Sequence, residues 1–349
     1  QYAVRSLNSV GIQPDVIIAR SEVPMDEPRK RKLAVFCNVQ EKDVVSAPDI
    51  DSIYEIPVNF EKEKLGDLLI EKLGLKKRKR DLTKWRNFVL QMKQLARPVK
   101  IGIVGKYFGS GDFTLADSYI SVIESLKHAA WFHKRKPELI WLNSEEYERN
   151  PQALKKLSKF DGIVVPGGFG NRGVEGKIKA IEYVRKNKIP YFGLCYGLQL
   201  AVVEFARHIS KLADAHTTEV DEKTKYPVIR TMPDQLYNIK ERRLGGSMRL
   251  GAYNCHLKSG TKAREAYGAA MVSERHRHRY EINNEYLGQL EESGFMASGV
   301  NPERNLVEIM ELKGHPFFLG TQFHPEFKSR PLRPHPLFRE FIRAAIRKK

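Results

Sequence analysis

The chain has 349 residues, of which 41% are hydrophobic and 29% charged, and its formal net charge is +18. That length allows two or so domains with a sizeable core. No apolar run approaches the ~20 residues of a membrane-spanning helix, and the composition is not that of a disordered chain. Three cysteines, Cys37, Cys195 and Cys255, with no CxxC pair, argue against a disulfide framework and a structural zinc site, and suit a reducing, cytoplasmic setting.

The opening "QYAVRSLNSVG" has neither the layout of a secretion signal nor an initiator methionine, and reads as a processed or truncated chain. Residues 1–75 read as a mixed α/β piece. "PDVIIARS" (14–21), "KLAVFCNV" (32–39) and "DSIYEIP" (51–57) are expected strands, with a polar, proline-bearing stretch between the first two. Apolar residues at 65, 68, 69 and 73 make a helical stripe across 61–75. Residues 76–98 are charge-dense and are expected to be a basic linker holding one amphipathic stretch, "LTKWRNFVLQMKQL". The runs "RKRK" (29–32) and "KKRKR" (76–80) raise the question of nucleic acid. No zinc finger, RRM signature or similar module accompanies them, so a solvated face is expected and a nucleic-acid partner is not.

From Val99 a strand–helix alternation begins. The expected elements are the strand "VKIGIVGKY", a helix over 115–133, the strand "ELIWLN", the helix "PQALKKLSK" and the strand "DGIVVPG". After a glycine-rich loop come the helix "KIKAIEYVRKN", the strand "IPYFGL" and the helix "YGLQLAVVEFARHI". This order predicts an α/β domain over 99–349, an open, mainly parallel sheet with flanking helices, whose ligands bind at the carboxyl ends of strands.

Cys195 stands at one such end, between Gly193 and Gly197, at the junction of strand and helix. Glycines so placed permit a turn tight enough to hold up a nucleophile, and the free N–H groups and dipole of the following helix favour a thiolate. The base is expected in "GTQFHPEF": His324, oriented by Glu326 two residues on, on the same side of an extended segment. The backbone N–H of Tyr196 and one from Gly168 in "VPGGFGNRGVEG" (165–176) would hold an oxyanion. That loop matches neither GxGxxG nor GxxxxGK[ST]. His276 and His278 could be metal ligands on a strand face, but the arginines around them make a poor cation site.

Gly-x-Cys-x-Gly, His-Pro-Glu and the Pro-Gly-Gly loop together resemble class I (triad-type) glutamine amidotransferases, with a flavodoxin-like fold. "DSIYEIP", "VPGGFGNRGVEG", "LGGSMRLGAYNC" (244–255), "ERHRHRYEINN" (274–284) and "TQFHPEF" narrow the resemblance to the CTP synthase family over essentially the whole chain. It implies a triad of Cys195, His324 and Glu326, and a glutamine site made by Gly168, Tyr196, Gly197, Leu198, Gln199, Glu219 and Arg279. Glu219 would pair with the α-ammonium and Arg279 would clamp the α-carboxylate. Residues 1–75 resemble the C-terminal part of a P-loop-like α/β synthetase (amidoligase) domain. There Gln1, Lys32 and Pro48–Asp49–Ile50 match nucleotide contacts, and Arg20 and the 29–32 run are candidates to face phosphates. The resemblance further implies ATP and Mg2+, with sites largely in a part preceding this chain and no metal site within it. It implies UTP and glutamine as substrates, GTP as an activator acting near Asn171–Gly176, no prosthetic group, and a tetramer when full length. No GxxxxGK[ST] occurs, so this chain cannot hold a complete synthetase site. The alternatives are a glutaminase serving another nucleotide pathway, which would lack 244–255 and the leader, and a non-catalytic scaffold with a vestigial triad.

Overall fold

The computed structural model describes residues 1–105, 119–232 and 248–348. Lys106 and Tyr107 of the first expected strand of the larger domain, the start of the helix expected over 115–133 and residues 244–247 of "LGGSMRLGAYNC" lie outside the described residues. The chain divides into two units, Gln1–Gln94 and Leu95–Lys349.

The first unit runs α1 (Tyr2–Ser9), β1 (Ile17–Ser21), α2 (Glu27–Cys37), β2 (Val44–Pro48), α3 (Ile56–Lys62), α4 (Leu65–Lys72) and α5 (Thr83–Lys93). β1 and β2 pair in parallel, from Ile17 opposite Val44 to Ser21 opposite Pro48. Val45, Leu65 and Leu68 form a small core beneath them.

Several local expectations are corrected here. Residues 32–37 are helical, because the Asp26 side chain accepts from the Arg29 N–H, Pro28 stands in the first turn, and Asn38 closes the helix in the left-handed region. Start and stop signals outweigh the β propensity of the apolar run between them. The strand beside β1 is instead 44–48. Residues 53–55 form a 3-10 turn that Ser52 caps through the Tyr54 N–H, running into α3 with Pro57 in its first turn. The stripe over 61–75 is split between α3 and α4 at Lys64, whose φ is +56°. Part of the expected linker is the helix α5, anchored within this unit: Trp85 Nε1 donates to the Tyr54 carbonyl at 2.8 Å, and Phe88 meets the Tyr54 ring edge-on. Its apolar face needs a partner, and Tyr54 supplies it, so the boundary moves to residues 94–95.

The second unit runs β3 (Pro98–Gly105), α6 (Ile120–Phe132), β4 (Lys136–Asn143), α7 (Ser144–Arg149), β5 (Gly162–Val165), α8 (Val174–Lys186), β6 (Tyr191–Leu194) and α9 (Tyr196–His208). It continues through β7 (Ala215–Thr217), β8 (Tyr226–Thr231), β9 (Arg249–Leu257), α10 (Lys262–Tyr267), β10 (Met271–His278), β11 (Tyr280–Ile282) and α11 (Leu287–Glu292). It ends with β12 (Phe295–Asn301), β13 (Leu306–Leu312), β14 (Phe318–Thr321) and α12 (Pro336–Arg347). The expected helix 151–159 is a run of 3-10 turns, Pro151–Lys159.

Among the described residues the main sheet has the order β10-β9-β12-β13-β14-β6-β5-β3-β4. It is parallel from β4 to β14 and antiparallel from β14 to β10. β11, β8 and β7 make a smaller sheet. Strand alternation feeds two cores. Ile163, Val165 and Tyr191 join the apolar side of α8 and α9, whereas Val164 and Phe192 join that of α6 and α12. Phe192 meets Phe338 edge-on at 5.0 Å in the second core. β6 thus lies buried at the centre, flanked by β5 and β14, and its carboxyl end delivers the chain to Cys195.

Candidate active site

Cys195 follows β6 as the N-cap of α9 with φ +49° and ψ −97°, a sparsely populated conformation for a non-glycine residue. Such a backbone costs of the order of 1–3 kcal/mol and persists only where its surroundings impose it. Two glycines allow those surroundings. A Cβ at Gly193 would lie 2.7 Å from the Gly197 carbonyl carbon, and one at Gly197 would lie 2.1 Å from the Val165 carbonyl oxygen. Strand and helix approach so closely here that only hydrogen fits. The Cys195 N–H continues the sheet ladder, donating to Thr321 O at 2.6 Å.

β14 leads directly into the other half of the site. His324 is buried, and its N–H donates to the Arg275 carbonyl of β10 at 2.8 Å. Its Nδ1 lies 2.7 Å from Glu326 Oε1. Pro325 opens a short 3-10 turn that brings the carboxylate back over the ring. Nε2 is buried, and the Cys195 side chain is the ring's other hydrogen-bonding neighbour. Burial alone would push the imidazolium's pKa down. The Glu326 carboxylate and Cys195 outweigh burial and hold it well above the ordinary value. Phe327 stacks on the ring at 5.2 Å.

Cys195 separates two cavities that also share Gly168, Phe169 and Arg277. One, of about 380 Å³, carries His324 and Glu326. The other, of about 390 Å³, carries Gln199, Glu219 from the turn after β7 and Arg279 from the bend between β10 and β11, an acid and a cation remote in sequence. Glu219 accepts from the Gly170 N–H at 2.6 Å, and the Tyr196 hydroxyl donates to the Gly170 carbonyl at 2.8 Å, so the glycine loop is tied down on both sides. Tyr196, Gly197 and Leu198 border neither cavity. Packed in the first turn of α9, they offer the site backbone N–H groups, which lack intrahelical acceptors. Gln199 is buried, its Nε2 donating to Tyr280 O at 2.9 Å.

Gln322 was not singled out in the sequence. It is fully buried, and its Nε2 lies 3.5 Å from Cys195 Sγ. The local signal available was its place two residues before His324, on the same side of an extended segment. Behind the site, His276 and His278 face inward from β10. His276 Nε2 lies 2.6 Å from the buried Glu308, which Arg249 also pairs at 2.9 Å. Burial, His276 and Arg249 keep the His278 pKa well below the ordinary value. These side chains form a charge-compensated support.

The candidate nucleotide residues all lie in the first unit. Gln1 and Lys32 are exposed, Pro48 ends β2, and Asp49 and Ile50 follow it. Asp49 pairs with Arg20 at 3.2 Å. The 29–32 run is one turn of α2 in which three of the four charges have protein partners: Arg29 with Asp26, Lys30 with Glu63 at 3.0 Å, and Arg31 with Glu41 at 3.4 Å. In the 76–80 run, Arg80 pairs with Glu61 and Asp67. One group of potential metal ligands occurs among the described residues, Glu182, Glu204 and His208, in the second unit. Arg185 already takes both Glu204 oxygens, so it is a closed ion pair.

The family description "Glutamine amidotransferase class-I" matches residues 114–344. The chain belongs to the class-I glutamine amidotransferase family. A second description, "CTP synthase N-terminus", matches residues 1–75. CTP synthases from Carboxydothermus hydrogenoformans and Caldanaerobacter subterraneus are 51% and 49% identical over 99% of this chain, and one from Thermococcus kodakarensis is 49% identical over all of it. The chain spans 63–64% of the length of these relatives. A solved glutaminase domain of Trypanosoma brucei CTPS with bound acivicin is 37% identical, with a TM-score of 0.65, covering 72% of this chain and 95% of that one. The amidotransferase family match falls on the second unit and the synthase N-terminus match on the first. No described helix is long and apolar enough to cross a membrane.

Proposed function

We propose that this chain is the glutamine-hydrolysing part of a CTP synthase, with Cys195, His324 and Glu326 as its catalytic triad. The observation that carries the reading is the strained cysteine between a carboxylate-supported histidine and a cavity bearing Glu219 and Arg279. The Cys195 thiol passes its proton to His324, and the sulfur attacks the side-chain amide carbon of glutamine. The Tyr196 and Gly168 N–H groups hold the oxyanion. His324 returns the proton to the amide nitrogen, the C–N bond breaks, and ammonia leaves a thioester. Water, giving a proton to His324, attacks the thioester, and glutamate is released. Glu326 fixes the ring and supports its positive charge. Glu219 and Arg279 bind the α-ammonium and α-carboxylate, Gln199 lines their cavity, and Gly197 and Leu198 offer first-turn backbone N–H groups.

In the whole protein, ammonia would displace a phosphate that ATP places on the uracil 4-oxygen of UTP. The CTP synthases similar to this chain over 99% or more of its length support this. Lys32 and Pro48–Ile50 would touch nucleotide from the first unit, Gln1 a UTP-binding stretch. The described residues of that unit offer no cluster of three or more potential metal ligands for Mg2+. GTP activation near Asn171–Gly176, a tetramer and a cytoplasmic setting belong to the same proposal.

The test is labelling with 6-diazo-5-oxo-L-norleucine, an electrophilic glutamine mimic, followed by peptide mapping. Cys195 is expected to be modified, and Cys195→Ala to lose glutamine hydrolysis. Glutaminase activity surviving in Cys195→Ala would overturn the triad.

A further inference from the structure

Besides His324, the sulfur of Cys195 has two polar neighbours with opposite preferences. The Arg277 carbonyl, 4.0 Å away, can only accept and favours a thiol. The Gln322 side chain, at 3.5 Å, presents a donor. Which end of that amide faces the sulfur follows from a chain of contacts rather than from assignment. Gln199 reaches the Tyr280 carbonyl at 2.9 Å, and because that oxygen only accepts, the Gln199 atom there is nitrogen. The same nitrogen meets Gln322 at 3.2 Å, so the Gln322 atom there is oxygen. The NH2 group of Gln322 is therefore turned to the sulfur. Its backbone N–H is pinned in turn to Glu308 O at 2.8 Å. β11, α9 and β14 together aim one buried donor at one reacting atom.

We infer that Gln322 is a catalytic residue, a neutral donor that holds negative charge on the Cys195 sulfur. The inference rests on the reading of Cys195 as the nucleophile. The donor acts twice. Before attack it stabilises the thiolate that remains once His324 has taken the proton. At the end of the cycle, the oxyanion of the second tetrahedral intermediate re-forms its carbonyl and the C–S bond breaks. The bonding pair returns to sulfur, where the Gln322 N–H receives it. No proton moves to or from the amide. The charged and titratable groups along the two cavities that Cys195 borders are His324 with Glu326 on one side, Glu219, His278 and Arg279 on the other, and Arg277 of β10 along both. All are untouched by a change at position 322.

The experiment follows alkylation of Cys195 by iodoacetamide, which needs no glutamine site, by mass spectrometry of its peptide across about pH 5.5 to 9.5. Gln322→Met keeps the length and removes the donor. Gln322→Glu keeps an acceptor for Gln199 and places a negative charge beside the sulfur. A hydrogen bond to a charged group is worth roughly tenfold to a hundredfold. The Met variant is expected to be alkylated about tenfold more slowly at acidic pH, the Glu variant more slowly still, and both profiles to move to higher pH. Cys37 and Cys255 are buried and free, so their labelling reports any loss of fold. If Gln322→Met fails that control, Gln322→Glu carries the test. Profiles superimposable on the unaltered chain overturn the donor role, even if glutamine hydrolysis falls. If Cys195 of the unaltered chain reacts no faster than Cys255 at acidic pH, the nucleophile assignment itself fails.

Discussion

The glycine after the nucleophile offers a sharp test of the elbow. In Gly197→Ala the new methyl group would sit 2.1 Å from the Val165 carbonyl oxygen and 3.2 Å from its Cβ. Val165 is held in the centre of the sheet, its strand paired on both sides, so it cannot retreat. Relief must come from the first turn of α9, which has to withdraw by roughly 1 Å, and a displacement of that size at a reacting group costs on the order of a hundredfold in rate. The overpacking itself costs about 1–3 kcal/mol. Glutaminase kcat/KM and the urea midpoint of the same sample measure both. Gly288→Ala is the control, since a Cβ there meets nothing within 4 Å, and in α11 the change is expected to be neutral or stabilising by up to about 1 kcal/mol. A Gly197→Ala protein with unchanged turnover and midpoint would refute the packing argument.

Other consequences can be checked with similar means. Glu326→Gln removes the charge that supports the His324 cation, and kcat is expected to fall by roughly a hundredfold to ten-thousandfold with glutamine KM little changed; a loss confined to KM would contradict it. Arg185→Ala leaves the fully buried Glu204 carboxylate with only His208, 3.1 Å away. Chemical denaturation should read a loss of about 3 kcal/mol, and a loss under 1 kcal/mol would show that the pair is not desolvated. Acid should weaken the fold through His128 and His315, whose pKa values burial lowers from 6.5 to about 4. Both rings are neutral when folded and take up protons when unfolded below pH 6.5, so stability falls as pH drops from 6.5 towards 4. At pH 5 this amounts to about 2 kcal/mol per ring, trimmed by solvent screening to about 1 kcal/mol. Urea midpoints at pH 7 and pH 5 test it, and a His128→Asn variant with an undiminished pH dependence would exclude that ring as a source.

What could be read in the chain was what local rules control. Gly193 and Gly197 around Cys195 announce a tight turn because only glycine tolerates that approach, and the strand–helix alternation from residue 99 announces parallel strands. His324 and Glu326 are close in sequence, so their contact needs only one turn. What tertiary structure decided was everything involving distant partners. Residues 32–37 are apolar enough for a strand, and capping at Asp26 and Asn38 makes them a helix. Residues 83–93 look like linker until Tyr54 provides a surface for Trp85. The antiparallel half of the sheet carries no local mark of where β13 will pair. Gln322 is the clearest case, for its meaning depends on a sulfur 127 residues away and on Gln199 to fix which end of its amide points there. A hydrogen bond's direction is set by all of its partners at once, and only the folded chain assembles them.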